Sequence, residues 1–261
     1  MSVSERFQGA NIVDAGRMSA YWGEHAARYE FARAYVAGQK VLDIACGTGY
    51  GIGLLKERAA FIVGVDLDQE AVLQAKTEAG KSSAVIIGNG VGLPFADSGF
   101  DVVCSFETLE HLRDRQGLLA EFQRVLRPGG TLLLSTPNAD YTQPVDGVPT
   151  NPFHIFEYKP DELRSELEQF FEIERFVGQS LAADIRIPPF YDAQCRLPKD
   201  LRTQAMLFCW KAFNKIPFAV REGLSEAIWK KPFYPTEQDY CFLEDITERT
   251  PVLVAVCKPK K

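Results

Sequence analysis

Glu107, Glu110 and His111 stand at i, i+3 and i+4 within Ser105-Phe106-Glu107-Thr108-Leu109-Glu110-His111-Leu112. A helical turn there would put all three on one face. The chain has three histidines, and another, His154, follows in Asn151-Pro152-Phe153-His154-Ile155-Phe156-Glu157-Tyr158. If both segments lie at one edge of a sheet, two carboxylates and two imidazoles converge. Glu107, Glu110, His111 and His154 with open positions suit Mg2+ or Mn2+ better than structural zinc. The same groups support metal-free catalysis, with His111 and His154 as a base and a substrate hydrogen-bonder. A capping and salt-bridging cluster beside a pocket is the third reading.

A second constellation is Val41-Leu42-Asp43-Ile44-Ala45-Cys46-Gly47-Thr48-Gly49-Tyr50-Gly51. An apolar run ends in an acid, a glycine-rich turn follows, and residues 52–57 are helix-like. Strand, glycine turn and helix open a nucleotide pocket at the carboxyl edge of an α/β sheet. Asp43 would repel the pyrophosphate of a dinucleotide, and Ile52 stands where a third glycine would fall in G-x-G-x-x-G. A cationic ligand suits the turn better. S-adenosylmethionine carries a sulfonium and an ammonium and no phosphate. Asp66, somewhat over twenty residues past Asp43 in Val63-Gly64-Val65-Asp66-Leu67-Asp68, suits the ribose hydroxyls, leaving Asp68 to cap the next helix.

The elements that must position these groups alternate. Strands are predicted over 40–44, 61–65, 83–87, 100–106, 131–135, 171–177 and 251–257. Helices are predicted over 19–36, 73–79, 118–125 and 160–169. Such alternation implies a doubly wound α/β fold, a parallel sheet with helices on both faces. Residues 181–250 differ. They hold Pro188-Pro189-Phe190-Tyr191, Phe208, Trp210, Phe213, Phe218, Trp229, Phe233 and Tyr234, with helices predicted over 200–214 and 219–230. This is long for a connection, and reads as a lid or substrate-shaping insertion or as a dimer element.

At 261 residues, the chain is expected to form a single domain containing that insertion. Hydrophobic residues make up 46% and charged residues 25%, which fits a soluble globular protein; a net charge of −6 argues against a nucleic-acid partner. The six cysteines form no C-x-x-C pair, so neither a zinc framework nor a disulfide scaffold is expected, and a cytoplasmic location is. Residues 1–11 lack an apolar signal core, and no apolar run is long enough to span a membrane.

Together with Gly88-Asn89-Gly90-Val91 and Leu126-Arg127-Pro128-Gly129-Gly130, the glycine run and Asp66 resemble the class I S-adenosylmethionine-dependent methyltransferases over roughly residues 20–180. The resemblance implies a Rossmann-like seven-stranded sheet in the order 3-2-1-4-5-7-6, with residues 251–257 antiparallel. It implies S-adenosylmethionine as cofactor, held by Tyr29, Asp43, Ala45, Gly47, Thr48, Gly49, Asp66, Leu67, Asn89, Gly90, Val91 and Phe106. Asn89 departs from the acid usual beside the adenine, but its amide carbonyl can still accept from the exocyclic amine. Tyr29 or Arg28 is placed to close over the methionine carboxylate.

The segment Glu107 to His111 and the later His154 are similar to the E-x-x-E-H and following histidine of small-RNA 2′-O-methyltransferases and ubiquinone-pathway O-methyltransferases. Ser135-Thr136-Pro137-Asn138, Asn151-Pro152-Phe153-His154 and Gly178-Gln179-Ser180 resemble a narrower, type 11/23-like branch found with glycosyltransferases of surface-polysaccharide assembly. The expectation is O-methylation of a small-molecule or sugar hydroxyl, in a possible homodimer. N-methylation of a small molecule and a non-catalytic S-adenosylmethionine-binding subunit are the alternatives.

Overall fold

The structure, a computed structural model, describes residues 21–182, 200–213 and 215–260. Five parallel strands, β1 (Lys40–Ile44), β2 (Phe61–Asp66), β3 (Ser83–Ile87), β4 (Phe100–Phe106) and β5 (Leu126–Pro137), form one side of the sheet. The other side holds β6 (Phe171–Leu181), β7 (Tyr240–Leu243) and β8 (Val252–Pro259). The order is β3-β2-β1-β4-β5-β8-β6-β7, with β8 antiparallel to β5 and β6, and β7 antiparallel to β6. Seven of these strands reproduce the expected order. The eighth, β7, corrects the expected strand count and adds a second antiparallel strand. It has only four residues, Tyr-Cys-Phe-Leu, without apolar–polar alternation to mark it. Its Phe242 packs against Phe31 with ring centroids 4.5 Å apart.

Period-2 alternation along β1 sends Leu42 and Ile44 into one apolar layer with Val103, Leu118 and Phe122. Val41 enters the opposite layer with Tyr29, Ile52, Leu55 and Val72. Asp43 shares Val41's parity, so it points toward Tyr29 rather than into the first layer. Full burial of each Leu, Ile or Phe stabilises the sheet by about 1.5–3 kcal/mol.

Helices α1 (Trp22–Ala32), α2 (Tyr50–Leu55), α3 (Gln69–Glu78), α4 (Arg115–Val125), α5 (Ala139–Thr142) and α6 (Pro160–Leu167) connect or flank the strands. Side-chain caps explain two early starts. Asp68 accepts from the Ala71 N–H at 2.8 Å and begins α3, and Asp114 accepts from the Gly117 N–H at 2.9 Å and begins α4. The expected helix over 19–36 is shorter, with α1 ending at Ala32 in a turn. In the insertion, α7 (Leu201–Phe213) and α8 (Phe218–Trp229) match the expected helices within one residue at each end, while Pro188 to Tyr191 lie outside the described residues. The end of the insertion closes on α1: a Cβ on Gly23 would lie 2.3 Å from the Pro235 carbonyl oxygen. No helix among the described residues is long and apolar enough to cross a membrane.

Candidate active site

The carboxyl ends of β1 and β2 carry the glycine turn and its acids. Ala45, Gly47 and Gly49 all have positive φ, at 55°, 55° and 83°. Ala45 bears a Cβ in a region that favours glycine, so the turn is held against local preference. Gly49 is the N-cap of α2, and a Cβ on Gly51 would lie 2.1 Å from the Tyr29 ring. Tyr29 can lie across the turn only because residue 51 has no side chain. Thr48 is buried between these glycines.

Asp66 braces the turn from the end of β2. One of its oxygens accepts from the Gly47 N–H at 2.9 Å, the other from the Asp68 N–H at 2.9 Å. Asp43 is wholly buried, with both carboxylate oxygens within 3.2 Å of the Tyr29 hydroxyl. Burial raises its pKa to about 7; the Tyr29 hydrogen bond opposes the rise and the Asp66 charge adds to it. Phe106, ending β4, meets Tyr29 edge-on at 5.0 Å. Beyond β2 and β3, Leu67 and Asn89 are exposed and Val91 is half-buried. Asn89 accepts from the Val91 N–H at 3.2 Å, and Gly90 sits where a Cβ would lie 2.6 Å from Leu118. All the residues expected to meet the cofactor therefore lie at the carboxyl edge or on the α1 wall beside it.

That wall is built around Arg28, a buried side chain. Its guanidinium donates to Gln179 at 2.9 Å, to Glu24 at 3.3 Å and to His25 Nδ1 at 2.8 Å, while Nε has no partner among the described residues. Gln179 in turn donates to the Glu24 carbonyl at 2.8 Å. Burial, and then the adjacent Arg28 charge, hold the His25 pKa well below its usual value. Gln179 was legible only as part of Gly178-Gln179-Ser180, without a role.

The second constellation departs from the expected helical face. Glu107 takes φ +50°, and its N–H bonds the Ser135 carbonyl at 3.1 Å. The Ser135 hydroxyl donates to the Glu107 carboxylate at 2.7 Å. A 3-10 turn, Leu109–His111, begins only after this reversal, so Glu107 does not share a helical face with Glu110 and His111. One ligand atom each from Glu110, His111 and His154 can be chosen so that all lie within 4.8 Å of one another. Glu107 lies outside this group, which therefore has three members and not the expected four.

His154 reaches the group because the Glu110 carbonyl accepts from the Ile155 N–H at 2.8 Å. The Glu110 side chain is wholly buried. Thr136 donates to one of its oxygens at 2.9 Å, and the other has no hydrogen-bond partner among the described residues. That second oxygen is 3.9 Å from His111 Nε2. Burial, and then the Glu107 charge, raise the Glu110 pKa to about 8.

Hydrogen bonding sets the imidazole tautomers. His111 Nδ1 is 3.0 Å from the Phe153 carbonyl, which can only accept, so Nδ1 carries the proton and Nε2 keeps its lone pair. Asn151 Oδ1 accepts from the Phe153 N–H at 3.1 Å, which turns its amide nitrogen toward His154 Nε2, also 3.1 Å away. His154 Nδ1 then donates to Glu157 at 2.5 Å, and Thr142 bonds the other oxygen of that carboxylate. A carboxylate behind one imidazole and a carbonyl behind the other orient both Nε2 atoms, as the groups behind metal-binding histidines do.

Residues 42–134 match the family model described as a methyltransferase domain. A probable S-adenosylmethionine-dependent methyltransferase of Mycolicibacterium smegmatis is 38% identical over 160 residues, covering 60% of this chain and 62% of that one. The O-methyltransferase rstn1 of Aspergillus nomiae is 30% identical over 145 residues, covering 51% and 64%. This chain spans less than two thirds of the length of these curated relatives. Among solved structures, a chain from the Haloferax volcanii complex containing the Trm112 methyltransferase activator shares the fold, with a TM-score of 0.61, 20% identity, and coverage of 100% of this chain and 98% of that one. The glycine turn, the strand order and these matches agree: residues 42–134 are a methyltransferase domain, set in a sheet with the strand order of the class I S-adenosylmethionine-dependent methyltransferases.

Proposed function

We propose that this protein transfers a methyl group from S-adenosylmethionine to a hydroxyl of a small molecule or sugar, assisted by a divalent cation at Glu110, His111 and His154. The observation that carries the proposal is the meeting of two unlike half-sites at one sheet edge. A glycine turn flanked by Asp43 and Asp66 stands at β1 and β2, and the Glu/His group stands beyond β4.

The donor fits the first half-site by charge. Two carboxylates flank the turn, which favours a sulfonium ligand over a phosphate. In this reading Ala45, Gly47, Thr48 and Gly49 cradle the methionyl end, with Tyr29 and Phe106 as wall. Asp66 takes the ribose, and Leu67, Asn89, Gly90 and Val91 flank the adenine. The cation fits the second half-site because a buried Glu110 oxygen lacks a donor and two oriented imidazoles lie beside it. Mg2+ or Mn2+ would lower the pKa of the acceptor hydroxyl and orient it. His154 Nε2, which now faces the Asn151 amide at 3.1 Å, would have to give up that hydrogen bond to hold an ion.

The chemistry is an in-line displacement, in which the acceptor oxygen bonds to the methyl carbon as the carbon–sulfur bond breaks and sulfur keeps the electron pair. The chain's work is alignment, exclusion of water, and removal of the hydroxyl proton. A second reading, with His111 Nε2 as the base without an ion, is favoured by the fixed Nδ1–H tautomer and the partial exposure of that ring. The O-methyltransferase rstn1 relationship supports transfer to oxygen.

The test combines calorimetry with S-adenosylmethionine and transfer of its radiolabelled methyl group to a panel of sugars and phenols. Binding with label appearing in an ether, lost on chelation and restored by Mn2+, is expected. Absence of binding by folded protein ends the proposal. Undiminished turnover under chelation replaces the cation with the His111 base.

A further inference from the structure

Helix α8 is inside out. Arg221 and Ser225 are buried, and Glu222 is half-buried and accepts from the Phe233 N–H at 2.7 Å. Arg221 bonds the Ile216 carbonyl at 3.0 Å and the Tyr234 hydroxyl at 3.1 Å, with its guanidinium over the Phe233 ring. Ser225 donates to the Lys231 carbonyl at 2.9 Å. The adjoining face carries Val220, Leu224 and Ile228, spaced i, i+4, i+8, which are 51%, 43% and 62% exposed. An amphipathic surface helix ordinarily turns that stripe inward. Helix α7 adds Leu201 and Phe208, 86% and 73% exposed.

The charge of this region also runs against the rest of the chain. Residues 201–231 hold six Lys and Arg against two Asp and Glu, in a protein of net charge −6. Arg202, Lys215, Lys230 and Lys231 are exposed, and Glu226 is the only exposed carboxylate among the described residues of this stretch. An exposed apolar stripe in a stretch rich in exposed cations matches the boundary of an anionic bilayer, where apolar side chains enter the acyl edge and ammonium groups meet phosphate and carboxylate. A second copy fits less well, because a two-fold interface would set this basic patch against itself.

We propose that α7 and α8 dock the protein on the surface of an anionic membrane, with Val220, Leu224 and Ile228 inserted at the interface. The catalytic edge would then face acceptors presented at that surface. Docking and methyl transfer are read by separate measurements, so either can fail alone.

The experiment is co-sedimentation of the full chain with vesicles of phosphatidylcholine, with and without about one third phosphatidylserine. Anionic vesicles are expected to bind at least ~10-fold more tightly than neutral ones, and less tightly as salt is raised. Val220→Ser, Leu224→Ser and Ile228→Ser together are expected to weaken binding at least ~10-fold with unchanged thermal melting, since all three side chains are exposed. Lys230→Glu with Lys231→Glu should remove the preference for phosphatidylserine. No sedimentation of the natural chain with anionic vesicles overturns the proposal, as does unchanged binding by the triple variant. A dimer by light scattering that the triple variant dissolves, without vesicle binding, assigns the face to a second copy and overturns it equally.

Discussion

At the ends of β1 and β2, both Asp66 oxygens accept from backbone N–H groups, and both Asp43 oxygens lie against the Tyr29 hydroxyl. Beyond β4, Glu110 is as buried as Asp43, yet one of its oxygens meets no donor among the described residues. The first pair uses its carboxylates to hold a strained turn in shape. In the second group one Glu110 oxygen accepts from Thr136 while the other accepts from no described residue, and burial favours the protonated carboxyl. One region is a finished cradle, and the other is where the proposed cation would supply the missing partner.

The largest effect should fall on the unfinished region. Glu110→Gln or His111→Ala is expected to weaken Mn2+ binding at least ~100-fold, followed by electron paramagnetic resonance titration. Glu107→Gln, outside the three-residue group, should change it less than about 5-fold. Equal losses at Glu107 and Glu110 would erase the distinction between them. In the finished region, Gly51→Ala drives a Cβ into the Tyr29 ring. A loss of about 1–3 kcal/mol is expected in urea unfolding, and an unchanged midpoint would show that Tyr29 is not held there.

Asp43 sharpens the contrast through pH. Its folded pKa of about 7 lies above the ordinary carboxyl value. The folded state therefore holds a proton that the unfolded chain has released, and stability falls as pH rises from about 4 to about 7. Asp43→Asn is expected to flatten that slope by more than ~1 kcal/mol. S-adenosylmethionine affinity should run the other way, tightening as Asp43 ionises, which calorimetry at pH 6 and pH 8 would read. The smallest effect belongs to the α3 cap. Asp68→Ala should cost ~1 kcal/mol in thermal or urea unfolding and leave Mn2+ binding unchanged.

The glycine turn was legible because three glycines between two acids have few other uses, and its neighbours in the sheet were legible from apolar runs between turn residues. Strand β7 was not, because four residues inside a long insertion, three half-buried and one exposed, carry no periodicity. The i, i+3, i+4 spacing of Glu107, Glu110 and His111 assumed continuous helix. A single positive φ at Glu107, paired with Ser135 from the neighbouring strand, broke that register. His154 could be named from its residue type, but its contact with Glu110 depends on a carbonyl in one segment and N–H groups in another. Nothing local writes such a long-range bond. The inverted polarity of α8 was hidden for the same reason, since composition shows an apolar stripe without showing which way it turns.

The Glu110 carbonyl accepts from Ile155 at 2.8 Å and from Phe156 at 3.3 Å, while the preceding hairpin is closed on itself by Val145 and Val148 at 3.0 and 2.9 Å. The imidazole of His154 is thus anchored from downstream and the hairpin tip from within. Natural or designed changes in the length and side chains of residues 144–149 can then leave the histidine in register. A single peptide oxygen thus separates the part of this segment that can vary from the part that holds the imidazole.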